Sequence, residues 1–177
     1  MTSIETTSTR ANQGNKVKGQ KAFAKLGFRA LEAAELVLKL NQLLANYHIH
    51  YQKLRNFHWN VKGGDFFDLH EKFEAQYNQA QLNIDEIAER IRVFGKTPYS
   101  TLREYLEQSE IKEVGTNLSS SQMVEEVLSD YRILLENMVD VVDSAIDVGD
   151  IGTQDLVNTF IKDMEKNHWM FTAFNHK

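Results

Sequence analysis

Residues 57–74 read FHWNVKGGDFFDLHEKFE, and residues 82–91 read LNIDEIAERI. Among the metal-binding side chains of the two segments, five are candidate ligands: His58, His70, Glu74, Asp85 and Glu89. Gly63 and Gly64 interrupt the chain after the first histidine. Beyond that break, residues 69–94 contain no proline and no glycine and space their apolar positions helically, which predicts one long helix.

At about 100° per residue, with His70 at zero, Glu74 falls near ~40°, Asp85 near ~60° and Glu89 near ~100°. All four therefore share a face. Along the axis they separate, because the rise from His70 to Asp85 is about 22 Å while metal–ligand bonds are only about 2.0–2.2 Å long. One helix cannot hold an ion with both ends. A two-fold axis crossing the helix midway removes the difficulty, since an antiparallel copy brings its Asp85/Glu89 end to the His70/Glu74 end of the first. Isologous two-fold dimers are the commonest oligomers, and the site would then form twice per dimer. Polar residues at i, i+4 are ordinarily just a solvated helix face. Residue type favours ligands here: two histidines and three carboxylates, with no lysine or arginine at the five positions.

Working outward, residues 30–61 predict a first helix, with Leu36, Leu38, Leu40, Leu43, Leu44, Tyr47, Tyr51, Leu54 and Phe57 supplying core and interface faces. His48 and His50 are two apart and point in different directions, so they read as surface or interface histidines and not as a chelate. Asp68, with Glu71 three residues on, reads as the cap of the second helix. Residues 101–108 predict a short amphipathic helix inside a long connection. Ser121 reads as the cap of a helix running to about residue 146, whose stripe from Val124 to Ala145 is core. Gly149 and Gly152 mark a turn before a last helix over residues 154–174. Glu165 and His168 have the spacing used by di-iron sites inside a single bundle, but such sites need a second copy of that motif and none is found.

HWNVKG, FFDLHEKF and DEIAERI, together with TLREYLE at residues 101–107 and WMFTAF at residues 169–174, resemble the Dps family of mini-ferritins over roughly residues 40–175. The resemblance implies an all-α, ferritin-like four-helix bundle with a short extra helix between the second and third long helices. It implies an iron-oxidising centre shared by two-fold-related subunits, with His58, His70, Glu74, Asp85 and Glu89 as ligands. Many members have Asp where Glu74 stands; the longer side chain still offers an oxygen. It further implies a hollow dodecamer storing ferric iron, hydrogen peroxide as the preferred oxidant, and protection of DNA. Asp155 matches a pore aspartate of the family. Ile146 stands where some members are acidic, so Asp147 or Asp150 would complete the pore. Imidazole and carboxylate suit iron(II), and they suit zinc as well. Trp59, beside His58, is a candidate trap for a stray oxidising equivalent, although a core tryptophan is the commoner case.

Charge is unevenly spread. Residues 1–29 hold Arg10, Lys16, Lys18, Lys21, Lys25 and Arg29 against Glu5 alone, while the whole chain carries a formal net charge of −5. The first twenty or so residues are too polar to offset ordering entropy and read as a disordered arm preceding a bundle domain at 30–177. That arm is either a solubilising terminus or a non-specific DNA contact through Arg10, Lys16, Lys18, Lys21 and Lys25, one phosphate per cation. The absence of cysteine excludes disulfides and thiolate sites and fits a reducing compartment. No apolar run reaches the roughly 18 residues of a membrane span, and no secretory h-region is present; a cytoplasmic protein, free or nucleoid-associated, is the expectation. The competing reading is a structural, DNA-compacting protein whose metal site is secondary or holds zinc.

Overall fold

The computed structural model describes residues 30–175. It has five helices: α1 (Ala30–Asn60), α2 (Phe66–Val93), α3 (Leu102–Gln108), α4 (Ser120–Val148) and α5 (Ile151–Asn175). No strand occurs among the described residues. The four long helices form the ferritin-like bundle, and α3 lies within the connection from α2 to α4. The arm expected at residues 1–29, with its five proposed DNA-contacting cations, lies outside the described residues. None of the described helices is long and apolar enough to cross a membrane.

Helix α1 is the hub and packs on α2, α3 and α4. Its residues Leu36, Leu40, Leu43, Tyr47, Leu54 and Phe57 are buried, and each apolar side chain so enclosed contributes roughly 1.5–3 kcal/mol. Facing them are Phe73, Ile87 and Ile91 of α2 and Val127, Leu134, Met138 and Val141 of α4, with Val157, Phe160 and Phe171 of α5 closing the core. Helices α1 and α4 run antiparallel: Asn46 Nδ2 donates to Asn137, His50 bonds Asp130, and Lys53 bonds Glu126.

Between α1 and α2 the chain reverses at Gly63, whose φ of +97° lies in the left-handed region that glycine enters without steric cost. Helix α2 then begins a turn earlier than the spacing predicts. Its N-cap is Asp65, not Asp68. Asp65 makes no capping bond of its own; it accepts from Ser120 Oγ at 2.8 Å, tying the starts of α2 and α4 together. Asp68 stays in the first turn, where a carboxylate still favours the helix dipole. Ser119, not Ser121, caps α4 through a reciprocal box with Gln122. Ser121 instead reaches Asn175 Oδ1 at 2.6 Å.

Helix α5 also starts early, at Ile151, because Asp150 accepts from the Thr153 backbone N–H at 3.2 Å, the bond an N-cap makes. The same carboxylate takes Arg90 Nη2 and Thr153 Oγ1. Arg90 Nε donates to Thr153 Oγ1 at 2.8 Å, and the guanidinium lies against Gly152, where any side chain would press on it. Burial alone would raise the Asp150 carboxyl. The bonds from Arg90 and Thr153 and the Arg90 charge outweigh burial and hold it below the usual value. A depressed carboxylate pKa stabilises the fold above the unfolded-state value and loses that contribution as pH falls through the folded value. Asp150→Asn is therefore expected to cost about 1.5–3 kcal/mol at neutral pH, with the gap to the parent protein closing in acid. Denaturant titrations at pH 7 and near pH 3 check this; a gap independent of pH would contradict it.

Candidate metal centre

His58 lies in the last turn of α1 and His70 in the second turn of α2, on the two sides of the Gly63 reversal. Their rings stack at 3.8 Å between centroids and 22° between planes. His58 Nδ1 donates to the His70 carbonyl at 2.8 Å, and His70 Nδ1 donates to the His58 carbonyl, also at 2.8 Å. A carbonyl can only accept, so both Nδ1 atoms carry hydrogen. Each ring is thereby left with Nε2 as its metal-binding nitrogen, the tautomer control that histidine ligands characteristically receive from a backbone acceptor. His58 is 9% exposed in the single chain. Phe66 stacks on the far face of this pair, 4.9 Å from His70.

Glu74 is exposed one turn after His70, and its Oε1 accepts from the Tyr77 hydroxyl at 3.3 Å. The Tyr77 ring in turn meets the His58 ring edge-on at 5.4 Å and 82°. Tyr77 was not among the sequence candidates, although it sits three residues after Glu74 and seven after His70, on the same helical stripe. Asp85 and Glu89 are exposed near the other end of α2. The chain thus brings His58 and His70 together, with Glu74 nearby, and leaves Asp85 and Glu89 apart from them. Among the described residues no three His, Asp or Glu side chains converge to hold a metal.

The face that carries these groups is not purely polar. Phe67 is 81% exposed and Leu82 60% exposed in the single chain, at roughly 60° and 120° in the angular frame that puts His70 at zero. Phe67 therefore falls within the angular range of the ligands and Leu82 just beyond its edge. Trp59 at the end of α1 is 58% exposed. Large apolar side chains left outside a core in this number mark a face that associates.

Of the three carboxylates expected at a pore, Asp147 and Asp155 are exposed at the turn between α4 and α5, beside the exposed Ile146 and Ile151. Asp150 is 1% exposed and turned inward to Arg90 and Thr153. Its carboxylate caps α5 and is not available to line a pore.

His48 and His50 also part company. The His48 ring stacks on Tyr105 of α3 at 3.7 Å, and burial pushes its imidazole down to about 4. His50 is not at the surface. It is buried with its Nδ1 2.9 Å from Asp130, which also takes Lys53 Nζ at 2.7 Å; Lys53 reaches Glu126 as well, at 3.1 Å. His168 is half-buried and Glu165 exposed on α5.

The model of the ferritin-like domain family matches residues 37–177, the class that the bundle and its histidine–carboxylate helix define. Within that class, the chain is 40% identical over 140 residues to DNA protection during starvation protein 2 of Bacillus anthracis, covering 79% of this chain and 96% of that one. The crystal structure of a Dps protein from Vibrio cholerae O1, described as one of the ferritin-like diiron-carboxylate proteins, superposes with a TM-score of 0.83 at 33% identity, over 95% of this chain and all of that one. Dps from Staphylococcus aureus superposes at 0.78 with 41% identity, over 80% and 95% of the two chains. This chain belongs to the Dps family of ferritin-like proteins.

Proposed function

We propose that the protein oxidises iron(II), with hydrogen peroxide as preferred oxidant, at centres shared by two-fold-related copies, and stores the ferric product inside a hollow dodecamer. The observation that carries the reading is the reciprocal bond between His58 and His70, which leaves two Nε2 atoms for metal at one end of α2. A second copy supplies what one chain lacks. Pairing His70 with Glu89 and Glu74 with Asp85 of an antiparallel copy uses one and the same centre on the helix, between Gln79 and Ala80, so a single two-fold axis satisfies both pairs. The apolar Phe67 and Leu82 give that face its reason to associate.

Iron is substrate here. Two iron(II) ions held near one peroxide deliver two electrons together: with two protons, H2O2 becomes two waters and both ions become iron(III). Oxygen ligands from Glu74, Asp85 and Glu89 bind iron(III) more tightly than iron(II), which favours the oxidised state. Holding both ions at one peroxide replaces a three-body encounter by a prearranged one. Asp147 and Asp155 serve as the carboxylates that draw cations toward the shell. DNA protection follows from removing iron and peroxide together, and non-specific contact through residues 1–29 adds to it; loss of a low-salt gel shift on deleting those residues checks that contribution.

Native mass with metal titration tests the whole. A twelve-subunit particle that binds iron(II) or cobalt(II) per two-fold interface, and loses that binding on Glu89→Gln, supports the reading. A folded monomer that binds iron unaided sinks it. Zinc in the isolated particle, with no peroxide-dependent iron oxidation, would favour the structural, DNA-compacting alternative.

A further inference from the structure

We propose that His50, Asp130, Lys53 and Glu126 form a proton path through the wall of the bundle, an inference that rests on the iron-storing shell proposed above. Helix α1 packs beside α2 and α4, and α5 packs beside α4. The α2–α5 side of the bundle therefore lies opposite the α1–α4 side. A cleft enters between α2 and α5, with Asp163 and Gln79 exposed at its mouth. The buried His50 lines its floor, together with Tyr47 and Tyr131. Its volume is about 30 Å³, and one water needs roughly 10–15 Å³.

From that floor the relay groups follow in order toward the opposite side. His50 Nδ1 lies 2.9 Å from Asp130, Lys53 Nζ donates to Asp130 at 2.7 Å, and the same ammonium donates to Glu126 at 3.1 Å. The side chains of His50, Asp130 and Lys53 are each 3% exposed, whereas that of Glu126 is 38% exposed. Lys53 also lines a wide pocket of about 550 Å³ between α1 and α3. The row thus has a sealed middle and two ends that water reaches. His50 Nε2 makes no hydrogen bond among the described residues, but it is not enclosed: Thr172 Oγ1 is the one enclosed, unbonded side-chain atom among them. A polar atom in such a place takes a partner, and water in the cleft supplies it.

Charge favours the entry of one proton. With His50 neutral, the two carboxylates face one ammonium, an excess of one negative charge. A proton taken by Nε2 from the cleft water brings the four groups to neutrality. His50 then yields its Nδ1 proton to Asp130. Lys53 passes a proton to Glu126 and takes that of Asp130, Glu126 releases its proton to solvent, and a flip of the imidazole restores the first tautomer. The other titratable groups on the cleft are Tyr47, Tyr131 and Asp163. Burial holds both phenols above their ordinary value, so neither competes as a donor. Iron deposition makes the acid to be moved: two iron(II), one hydrogen peroxide and two waters give two FeO(OH) and four protons. In a closed shell the deposit and the outer solvent lie on opposite sides of the bundle wall, and the path joins them.

The test uses the assembled full-length protein, given iron(II) and hydrogen peroxide in weakly buffered solution. A pH-indicating dye outside the particle reports proton release while absorbance reports iron oxidation. In the parent protein the two are expected to keep pace. His50→Gln can still bond Asp130 but cannot carry a proton. Ala80→Val narrows the cleft, which Ala80 also lines, and leaves His50 in place. Each is expected to delay proton release severalfold during deposition, while the first iron added per centre is oxidised at the parent rate. Release in step with oxidation in either variant overturns the path. So does a crystal structure of the parent protein with no water on His50 Nε2. If the parent protein forms no closed particle or oxidises no iron, the proposed function has failed; if it does both and the variants release protons as it does, only the path has failed.

Discussion

Replacing His58 and His70 together with alanine is expected to abolish fast peroxide-dependent oxidation of iron(II). Partners that merely orient a ligand cost on the order of 10–100-fold in affinity or activity, so removing both nitrogen ligands is expected to cost more. The geometry makes this test unusually clean. Each imidazole is held by the other residue's backbone carbonyl, not by its side chain. An alanine at one position therefore leaves the acceptor for the other ring in place. What each single replacement removes is one ligand and one stacked ring, without a change of tautomer in its neighbour. Stopped-flow oxidation, read beside native mass and circular dichroism, checks the prediction. An intact particle oxidising iron at the parent rate would remove the histidines from the centre.

The elements of the bundle were legible in periodicity and in glycine. Helix α2 is one uninterrupted run, Gly149 ends α4 and Gly63 turns the chain just past α1, both with positive φ, and the stripe on α4 is buried as its spacing requires. What periodicity cannot reveal is the occupant of the opposite face. Asp150 reads as a pore carboxylate until Arg90, sixty positions earlier, pairs with it. Capping residues were misplaced for a related reason: several Ser and Asp side chains lie within one turn of each start, and the tertiary partners Ser120 and Asn175 decide which of them cap and which tie elements together. At the metal centre, residue type and angle were readable, but the mutual histidine bond was not, because it depends on how the Gly63 reversal sets α1 against α2.

His50 and Asp130 are a miss with a readable signal. Leu36, Leu40, Leu43, Tyr47, Leu54 and Phe57 leave one gap in their stripe, and His50 fills it. On α4, Asp130 is buried beside Tyr131, which itself fills the step between Val127 and Leu134. A polar residue on a core stripe demands a buried partner, and each is the other's. The gap in the apolar stripe is the signal that takes His50 out of the surface class.

Asp130→Ala is accordingly expected to be among the most damaging single changes in the bundle. Asp130 is 2% exposed and is the only described carboxylate that bonds both His50 and Lys53. Removing one member of a buried ion pair strands the other, at roughly 3–5 kcal/mol. For a chain of this size each kcal/mol moves the melting temperature by roughly 2–4 °C, so a fall of about 6–20 °C is the expected reading at fixed protein concentration. The double variant Lys53→Met with Asp130→Leu is expected to be markedly milder than Asp130→Ala, because no charge is left unpaired in the core. Lys53 has one further partner, the half-buried Glu126 at 3.1 Å. If Asp130→Ala costs less than about 1 kcal/mol, Glu126 alone suffices for the ammonium, and the pair with Asp130 does not hold α1 to α4. The consequence reaches the metal centre, because Lys53 lies five residues before His58 on α1: an α1 released from α4 there would let the His58 carbonyl drift from the His70 ring that it orients.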